Sequence, residues 1–421
     1  FCAAMPLTGE EAYYWLWSQN LALSYFDHPP LTGWLIALMT GIFGHSPFGV
    51  RSLAILCHTL TAGILCHATW RITRDGAKAA WAGTCFTLGI FFAATGMVTI
   101  PDSVLFLFWA LTIWLVLEAI RPNQERLWPW AGLALGLCGL AKFHGVLLAA
   151  AIGLFVLLSR RQRRHLRSPW FWSGVVLAGL TTLPVWIWNM EHGWPTFGFQ
   201  LSGRHKTVLG SPIYVLEMLG APFGYIGLVL FPLCVVACVK AWRRGVRQYR
   251  HDLQFLVWAA AVPFLFFLVF SIFIRIDPQW AAPAFISAII PTAMYGVTLN
   301  RDVRRRRFSR HILAISAWVN AVIILLVCGL LIVIMQRPGL IPRDIQILGH
   351  RTNIDTEVID EFYGWKRIGA RLQEEIKQLE KTFSVGGGAV EAVARGDGSL
   401  AAVRIKPDVI REGEAEELEP G

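Results

Sequence analysis

Charged residues are scarce in this chain: Asp, Glu, Lys and Arg make up 16% of its 421 residues, and 55% are hydrophobic. A soluble domain rarely combines so little charge with a mean hydropathy of +0.50. No basic-then-apolar signal region precedes the first acidic stretch, and the chain begins at Phe1 without an initiator Met. We therefore expect the sequence to be incomplete at its N-terminus.

Other signatures of common protein classes are missing as well. The chain has no CxxC pair, which argues against a structural zinc site or a disulfide framework. It has no Rossmann-like βαβ unit, which a soluble nucleotide-sugar enzyme would need, and no internal repeat, which disfavours an inverted-repeat transporter. The eight cysteines lie almost all in apolar runs and are predicted to be small core residues: Cys2, Cys57, Cys66, Cys85, Cys138, Cys234, Cys238 and Cys328.

What the chain has instead is long apolar runs. Many reach about 18 residues or more, enough to cross a hydrocarbon core of roughly 30 Å. Nineteen tryptophans, many at the edges of these runs, are typical of the aromatic belts of membrane proteins. The sequence therefore predicts an all-α polytopic membrane protein with about ten transmembrane helices, near 48–70, 79–97, 103–120, 128–141, 143–158, 170–188, 214–239, 255–274, 280–299 and 312–335.

The loops between these runs alternate in charge. One set is strongly basic, as in "RRQRRHLR" at 160–167 and "RDVRRRRFSRH" at 301–311, whereas the loop at 97–102 has no Lys or Arg. Because Lys and Arg accumulate in cytoplasmic loops, the acidic and mixed polar clusters face outward. This pattern also explains the net charge of +10 without a nucleic-acid partner. It predicts a multi-pass membrane protein whose candidate site faces outward, which is the periplasmic side if the membrane is a bacterial inner membrane.

Three segments follow from this orientation. Residues 1–47 form a periplasmic acidic loop, in which 31–45 is too short for a clear span and, with "YYWLW", predicts aromatic-anchored helices along the interface. Residues 48–335 form the transmembrane domain. Residues 336–421 are a periplasmic polar tail, with one helical stretch at 363–382 and a partly disordered, Gly-rich end.

The outward acidic segments hold the first candidate catalytic residues. Glu10 and Glu11 precede an aromatic helix. They are either helix N-terminal acids that the macrodipole stabilises, with Thr8 as the cap, or catalytic residues. Asp27 and His28 stand directly before two prolines that fix the chain direction, an unusual choice for a plain turn, so we favour a functional role.

The remaining candidates lie at the outward ends of other spans. Asp102 is either a helix N-cap or a functional carboxylate. Lys142, with His144 nearby, either snorkels or binds a phosphate. The 189–206 loop and the 275–285 segment combine aromatic with basic side chains, which suits sugar or phosphate recognition as well as a plain interfacial loop. The candidates for binding there, together with one tyrosine of the first segment, are Arg204, His192, Trp194, Trp280 and Tyr14.

Transfer from a lipid-phosphate donor would connect these residues. The lipid phosphate is already a good leaving group, so it needs charge stabilisation from a cation more than it needs a proton. The acceptor hydroxyl needs one carboxylate as general base at the outer interface. Glu11, Asp27 and His28 could alternatively hold a divalent metal such as Mg²⁺, Mn²⁺ or Zn²⁺.

An ordered series of motifs resembles the bacterial branch of the dolichyl-phosphate-mannose–protein mannosyltransferase-like family, which includes the lipid A aminoarabinose and galacturonic acid transferases. The resemblance runs from about residue 8 to 370. Any one motif alone is weak, but the order is specific. The motifs are EEAYYWLW, YFDHPPLTGWLI, TIPDSVLFLFWAL, GLAKFHGVLL, WNMEHGWPTFGFQ, DPQWAAPAFIS and YGWKRIG.

The resemblance implies a GT-C-type fold, polyprenyl-phosphate sugars as donors and inversion of the anomeric centre, in a bacterial inner membrane with the site on the periplasmic face. It also implies a membrane helix before the first motif, which this chain lacks. Members usually carry Asp-Glu where this chain has Glu10-Glu11, so which of the two is the base stays open. In the family pattern Asp102 matches the second acidic position. Asp27 and His28 match the acid and the cation before Pro-Pro, and Lys142 matches the phosphate-side lysine.

Two function classes are therefore compared. The first is a glycosyltransferase that moves a sugar from a polyprenyl phosphate to a lipid or glycan acceptor, or alternatively to a protein. The alternative is a lipid-linked glycan transporter or flippase, which predicts charges in the middle of spans and related halves; neither is clear in this sequence. A structural envelope subunit would leave the polar clusters unexplained.

Overall fold

A computed structural model of the chain describes residues 5–200, 212–296 and 303–336, and five strand segments between 344 and 405. Contacts divide the chain into two units, Phe1–Ile341 and Pro342–Gly421. The division at 341 lies near the predicted boundary at 335, but the three-segment interpretation stays a prediction.

In the described residues of the first unit, all regular secondary structure is helical. Its helices are α1 Gly9–Gln19, α2 Leu31–Phe43, α3 Pro47–Thr73, α4 Gly76–Thr87, α5 Ile90–Thr95, α6 Pro101–Ala119, α7 Trp128–Ala141, α8 Gly145–Leu158, α9 Pro169–Glu191, α10 Pro195–Gly198, α11 Pro212–Tyr225, α12 Leu230–Arg247, α13 His251–Phe270, α14 Ala282–Gly296 and α15 Val303–Gln336.

Local sequence explains where several helices begin. Thr8 and Glu11 form a capping box at α1, in which each side chain bonds the other residue's backbone N–H. Ser46 caps α3, and Pro47 stands at its first position, where the missing N–H costs nothing. The break that Lys142 and His144 predicted is confirmed, because α7 ends at Ala141 and α8 begins at Gly145.

Within the described ranges, five helical stretches are long and apolar enough to cross a membrane: α3, α6, α9, α13 and His311–Leu330 within α15. The number rises to six if α11 and α12 together form one span, although they are bent by 107°. The predicted spans at 79–97 and 214–239 are not continuous helices in the structure. The first is interrupted by extended backbone at Gly89, and the second breaks at Gly227, whose φ is +130°.

Helices α7 and α9 approach each other through two glycines. A Cβ on Gly132 would lie 1.9 Å from the carbonyl oxygen of Gly174, whereas a Cβ on Gly153 of α8 would meet nothing within 4 Å. Small residues allow this close contact between apolar helices.

Gly132→Ala is therefore expected to lower the apparent melting temperature of the purified protein, because overpacking costs roughly 1–3 kcal/mol or more. Gly153→Ala is the control, and it should leave the melting temperature unchanged or raise it slightly, since helical Gly costs about 0.5–1 kcal/mol relative to Ala. Equal melting temperatures for the two variants would contradict the close contact.

The strand segments that the structure describes in the second unit form two antiparallel sheets. Strands β1 Asp344–Ile347 and β2 His350–Asn353 pair with each other. Strands β3 Glu380–Val385, β4 Val390–Arg395 and β5 Leu400–Ile405 form a sheet in the order β3-β4-β5, with an irregularity at Val393/Ala394. The sequence analysis did not predict these strands.

Candidate active site

A buried ion pair fixes the first acidic segment. Glu11 and Arg51 are both fully buried. Arg51 donates through Nε and Nη2 to the two carboxylate oxygens of Glu11, at 2.9 and 2.6 Å. The backbone N–H groups of Thr99 and Thr8 donate to the same oxygens, at 3.1 and 2.9 Å. A carboxylate has about four lone-pair sites, so these donors fill the hydrogen-bonding capacity of Glu11.

Arg51 also ties the start of the chain to α3. Its Nη1 donates to the carbonyl of Met5 at 2.9 Å, and its Nη2 donates to that of Pro6 at 2.8 Å. The sequence analysis missed this residue. The available signal was a single arginine inside the apolar stretch of α3, because an ionisable group in a membrane segment needs a partner.

A second buried ion pair joins α6 to the end of α7. Asp102 lies in the first turn of α6, where the helix dipole favours a negative charge. Lys142 is the residue directly after α7, and its Nζ lies 2.7 Å from the Asp102 Oδ2. Asp102 is 6% exposed and Lys142 is 8% exposed. The structure therefore brings together two residues that the sequence assigned to separate roles.

Tyr14 stands among the acidic residues. Burial raises the pKa of its hydroxyl well above the ordinary value, and the carboxylates of Glu10, Asp27 and Asp102 raise that pKa further. The neighbouring Tyr13 donates to Asp27 at 3.0 Å, and burial, with this carboxylate, raises its pKa to about 12. Three predicted site carboxylates thus share one electrostatic environment around Tyr14. We call Glu10, Tyr14, Asp27 and Asp102 the Tyr14 cluster.

The Asp27–Pro30 connection packs onto α1. His28 is buried, with its ring 6.1 Å from that of Tyr14 and 6.4 Å from that of Trp17. Tyr25 donates its backbone N–H to the carbonyl of His28 and stacks on Trp17 at 4.1 Å. These contacts hold Asp27 and His28 beside Tyr14 and Trp17.

The loop after α9 contacts the same connection. Thr196 Oγ1 donates to the carbonyl of Tyr25 at 3.0 Å, and Gln200 donates to the carbonyl of Asp27 at 2.6 Å. The ring centroid of Phe197 lies 6.0 Å from that of Phe143, the residue after Lys142. Residues 192–200 therefore lie against two parts of the site, Asp27–Pro30 and the end of α7.

The other predicted site residues are distributed around this centre. His144 lies edge to face with Trp280, their ring centroids 5.9 Å apart. His192 is exposed and stacks on Trp188 at 4.2 Å, and Trp194 is exposed with a left-handed φ of 64°. Arg204 lies outside the described residues.

The predicted metal ligands do not form a ligand set. Among the described residues, no three His, Cys, Asp or Glu side chains converge as metal ligands would. Glu11 in particular receives four protein donors, so its oxygens have no capacity left for a cation. The proposed trio of Glu11, Asp27 and His28 is therefore wrong as a set.

Comparison with known proteins supports the resemblance seen in the sequence. Residues 27–188 match the family model described as dolichyl-phosphate-mannose-protein mannosyltransferase. The chain is 26% identical over 284 residues to the lipid A galacturonosyltransferase RgtD of Rhizobium johnstonii, covering 67% of this chain and 59% of that protein. It is 31% identical over 193 residues to an undecaprenyl phosphate-alpha-4-amino-4-deoxy-L-arabinose arabinosyl transferase of Pseudomonas aeruginosa, covering 44% of this chain and 33% of that protein. The matched part of the chain thus spans 59% of the length of the first relative and 33% of the length of the second.

The fold matches a solved structure. The crystal structure of ArnT from Cupriavidus metallidurans bound to undecaprenyl phosphate aligns with a TM-score of 0.57 at 17% identity, over 80% of this chain and 70% of that one. This likeness shows the GT-C fold.

A different family model matches the C-terminal end. Residues 364–420 match the model described as the YbaB/EbfC DNA-binding family. Strands β3, β4 and β5 lie within this range, which is separate from the residues of the helical unit. The mannosyltransferase match and all of the motifs except YGWKRIG, which lies at 363–369, concern the helical unit. Over residues 27–188 the chain therefore carries a domain of the dolichyl-phosphate-mannose–protein mannosyltransferase family.

Proposed function

We propose that this chain is an integral-membrane glycosyltransferase that moves a sugar, with inversion, from a polyprenyl-phosphate donor to a lipid or glycan acceptor. The observation that carries the proposal is the buried Lys142–Asp102 pair, placed at the ends of apolar helices beside the acidic Tyr14 cluster. An ammonium group at that depth is suited to a phosphate whose lipid tail stays in the membrane. The relatives' names, which specify lipid A and undecaprenyl phosphate sugars, support this substrate class.

Lys142 is the proposed phosphate-binding group. An ammonium has three N–H donors, and Asp102 accepts one of them. The remaining two can reach the phosphate oxygens and stabilise the charge that develops as the sugar–phosphate bond breaks. Asp102 orients the ammonium, and His144 and Trp280, with Arg204, are proposed to border the same donor head group.

Glu10 is the proposed general base. It is exposed in the first turn of α1, whereas Glu11 is held by four donors. In the reaction the acceptor oxygen attacks the anomeric carbon, the bond to the phosphate oxygen breaks with its electron pair, and the acceptor proton passes to the carboxylate. Asp27, His28 and Tyr14 shape the sugar pocket, and His192 and Trp194 lie on the loop that contacts it.

The helix directions support the proposed orientation. The site residues lie at one end of α3, α6, α7, α8 and α9, and the opposite ends carry the basic segments, including Arg71, Arg121 and 160–167. We propose ten crossings of a bacterial inner membrane, with α4–α5 and α11–α12 as broken spans and the site on the periplasmic face.

The test uses the full chain in proteoliposomes, with a radiolabelled polyprenyl-phosphate sugar and lipid A as acceptor. We expect label to move to the acceptor, and Glu10→Gln to reduce the rate by about 10²–10⁴-fold. Glu217→Gln, which removes one partner of an exposed ion pair with Arg275, is the matched control and should keep full activity.

The transporter alternative predicts a different product. Label that crossed the bilayer while still attached to its carrier, without transfer in any orientation, would replace the glycosyltransferase proposal. Equal activity of Glu10→Gln and Glu217→Gln would retain the enzyme but remove Glu10 from the role of base.

A further inference from the structure

A cavity lies at the opposite end of the helical unit from the candidate active site. It has a volume of about 380 Å³ and is formed where α8 ends, α12 ends and α13 begins. Helices α8 and α13 run antiparallel, since His144 contacts Phe267 and Phe155 contacts Phe255. At 1.5 Å per residue, the 14 residues of α8 separate this cavity from Lys142 by roughly 20 Å. We call it the basic cavity; its lining includes Arg160, Arg161, Trp242, Tyr249, His251 and Trp258.

The lining combines cations with aromatic rings. Arg161 lies over the ring of Tyr249, with its guanidinium carbon 4.8 Å from the ring centroid. Both Arg160 and Arg161 are exposed, so their charges are accessible to a ligand. The cavity also faces the first turn of α13, where the helix dipole favours a negative ligand. The carboxylate in that turn, Asp252, is paired with Arg250.

Two features of the cavity raise the free energy of the protein when no ligand is bound. Tyr249 has a left-handed φ of 52°, a conformation that Gly or Asn adopts far more readily after a helix. His251 contacts Gln254 through Nδ1 at 3.2 Å, but its buried Nε2 has no hydrogen-bond partner among the residues that the structure describes. A buried polar atom without a partner costs free energy.

The surroundings indicate a ligand at the membrane surface. Leu158, Trp242 and Val246 line the cavity and are 56%, 40% and 49% exposed. Exposed apolar and tryptophan side chains next to arginines are typical of the zone where lipid head groups meet protein.

We propose that the basic cavity binds the phosphate group of an anionic phospholipid, with the arginines on the phosphate and the acyl chains along the exposed apolar wall. The site is separate from the proposed donor site, and the proposal does not depend on the transferase reaction. It gives the protein a lipid contact on the face opposite the acidic cluster.

The test measures phosphatidylglycerol bound to the purified full chain by native mass spectrometry, at several lipid concentrations. The variant Arg160→Gln/Arg161→Gln should bind on the order of tenfold more weakly. The control Arg163→Gln/Arg164→Gln removes the same charge from the same loop, outside the cavity lining, and should bind within about twofold of the wild type. Equal losses in both variants would mean general attraction to basic loops and would overturn the proposal.

Two further arms keep the test decisive if the double variant folds poorly. Tyr249→Gly relieves the left-handed strain and removes the ring beneath Arg161, so we expect unchanged or higher thermal stability with roughly threefold weaker lipid binding. Unchanged lipid binding by this stable variant would overturn the proposal. Inorganic phosphate at millimolar concentration should not displace the lipid; displacement by phosphate alone would overturn the lipid as the source of the bound group.

Discussion

Lys142→Met is expected to lower the kcat/KM of sugar transfer by about 10²–10³-fold, the usual cost of removing one donor that stabilises a developing charge. The ammonium lies 2.7 Å from the Asp102 carboxylate, and Lys142 is 8% exposed. Water therefore has little access to the position of this charge and cannot take over its role in the variant. The measurement is the initial rate of label transfer at several donor concentrations, with Lys240→Met in α12 as a control for loss of a lysine.

Asp102 supplies the internal control for this prediction. Lys142→Met alone leaves a buried carboxylate without its partner, which by itself costs about 3–5 kcal/mol of stability. Lys142→Met/Asp102→Asn removes both charges and should fold better while remaining equally inactive, because the two residues act as a unit. Recovery of transfer in the double variant would show that Lys142 served stability and not the phosphate.

Arg51→Met is expected to lower the free energy of unfolding by about 3–5 kcal/mol, since it leaves the buried Glu11 carboxylate unpaired. It also removes the donors to the carbonyls of Met5 and Pro6 that hold the start of the chain. Thermal unfolding followed by tryptophan fluorescence should show a decrease in apparent melting temperature on the order of 10 °C.

The double variant Arg51→Met/Glu11→Gln separates charge from packing. It removes both charges, so the melting temperature should recover part of the loss. Arg74→Met, which changes an exposed arginine at the end of α3, should leave the melting temperature nearly unchanged. A stable Arg51→Met protein with lost transfer would instead place the ion pair in the reaction.

Local signals in the sequence predicted much of the helical unit. The cap at Thr8 and the polar interruption at Lys142 correspond to helix boundaries in the structure. The motif series predicted the family, and charge patterning placed Glu10, Asp27 and Asp102 on one face; the structure brings all three within electrostatic range of Tyr14.

The errors concern long-range pairing and turn chemistry. Which carboxylate Arg51 or Lys142 contacts depends on helix packing, because each partner lies 40 residues away. The breaks at Gly89 and Gly227 were missed since an apolar run can hide a glycine kink. Strands β3–β5 were missed because Gly-rich connections were interpreted as disorder, although Gly also marks β-hairpin turns.

The most direct test of the central claim is the affinity of the purified full chain for undecaprenyl phosphate, which separates phosphate binding from sugar transfer. The account predicts saturable binding by the wild type, binding at least about tenfold weaker in Lys142→Met/Asp102→Asn, and wild-type affinity in Lys240→Met. Equal affinity in all three proteins would contradict the placement of the lipid phosphate at Lys142.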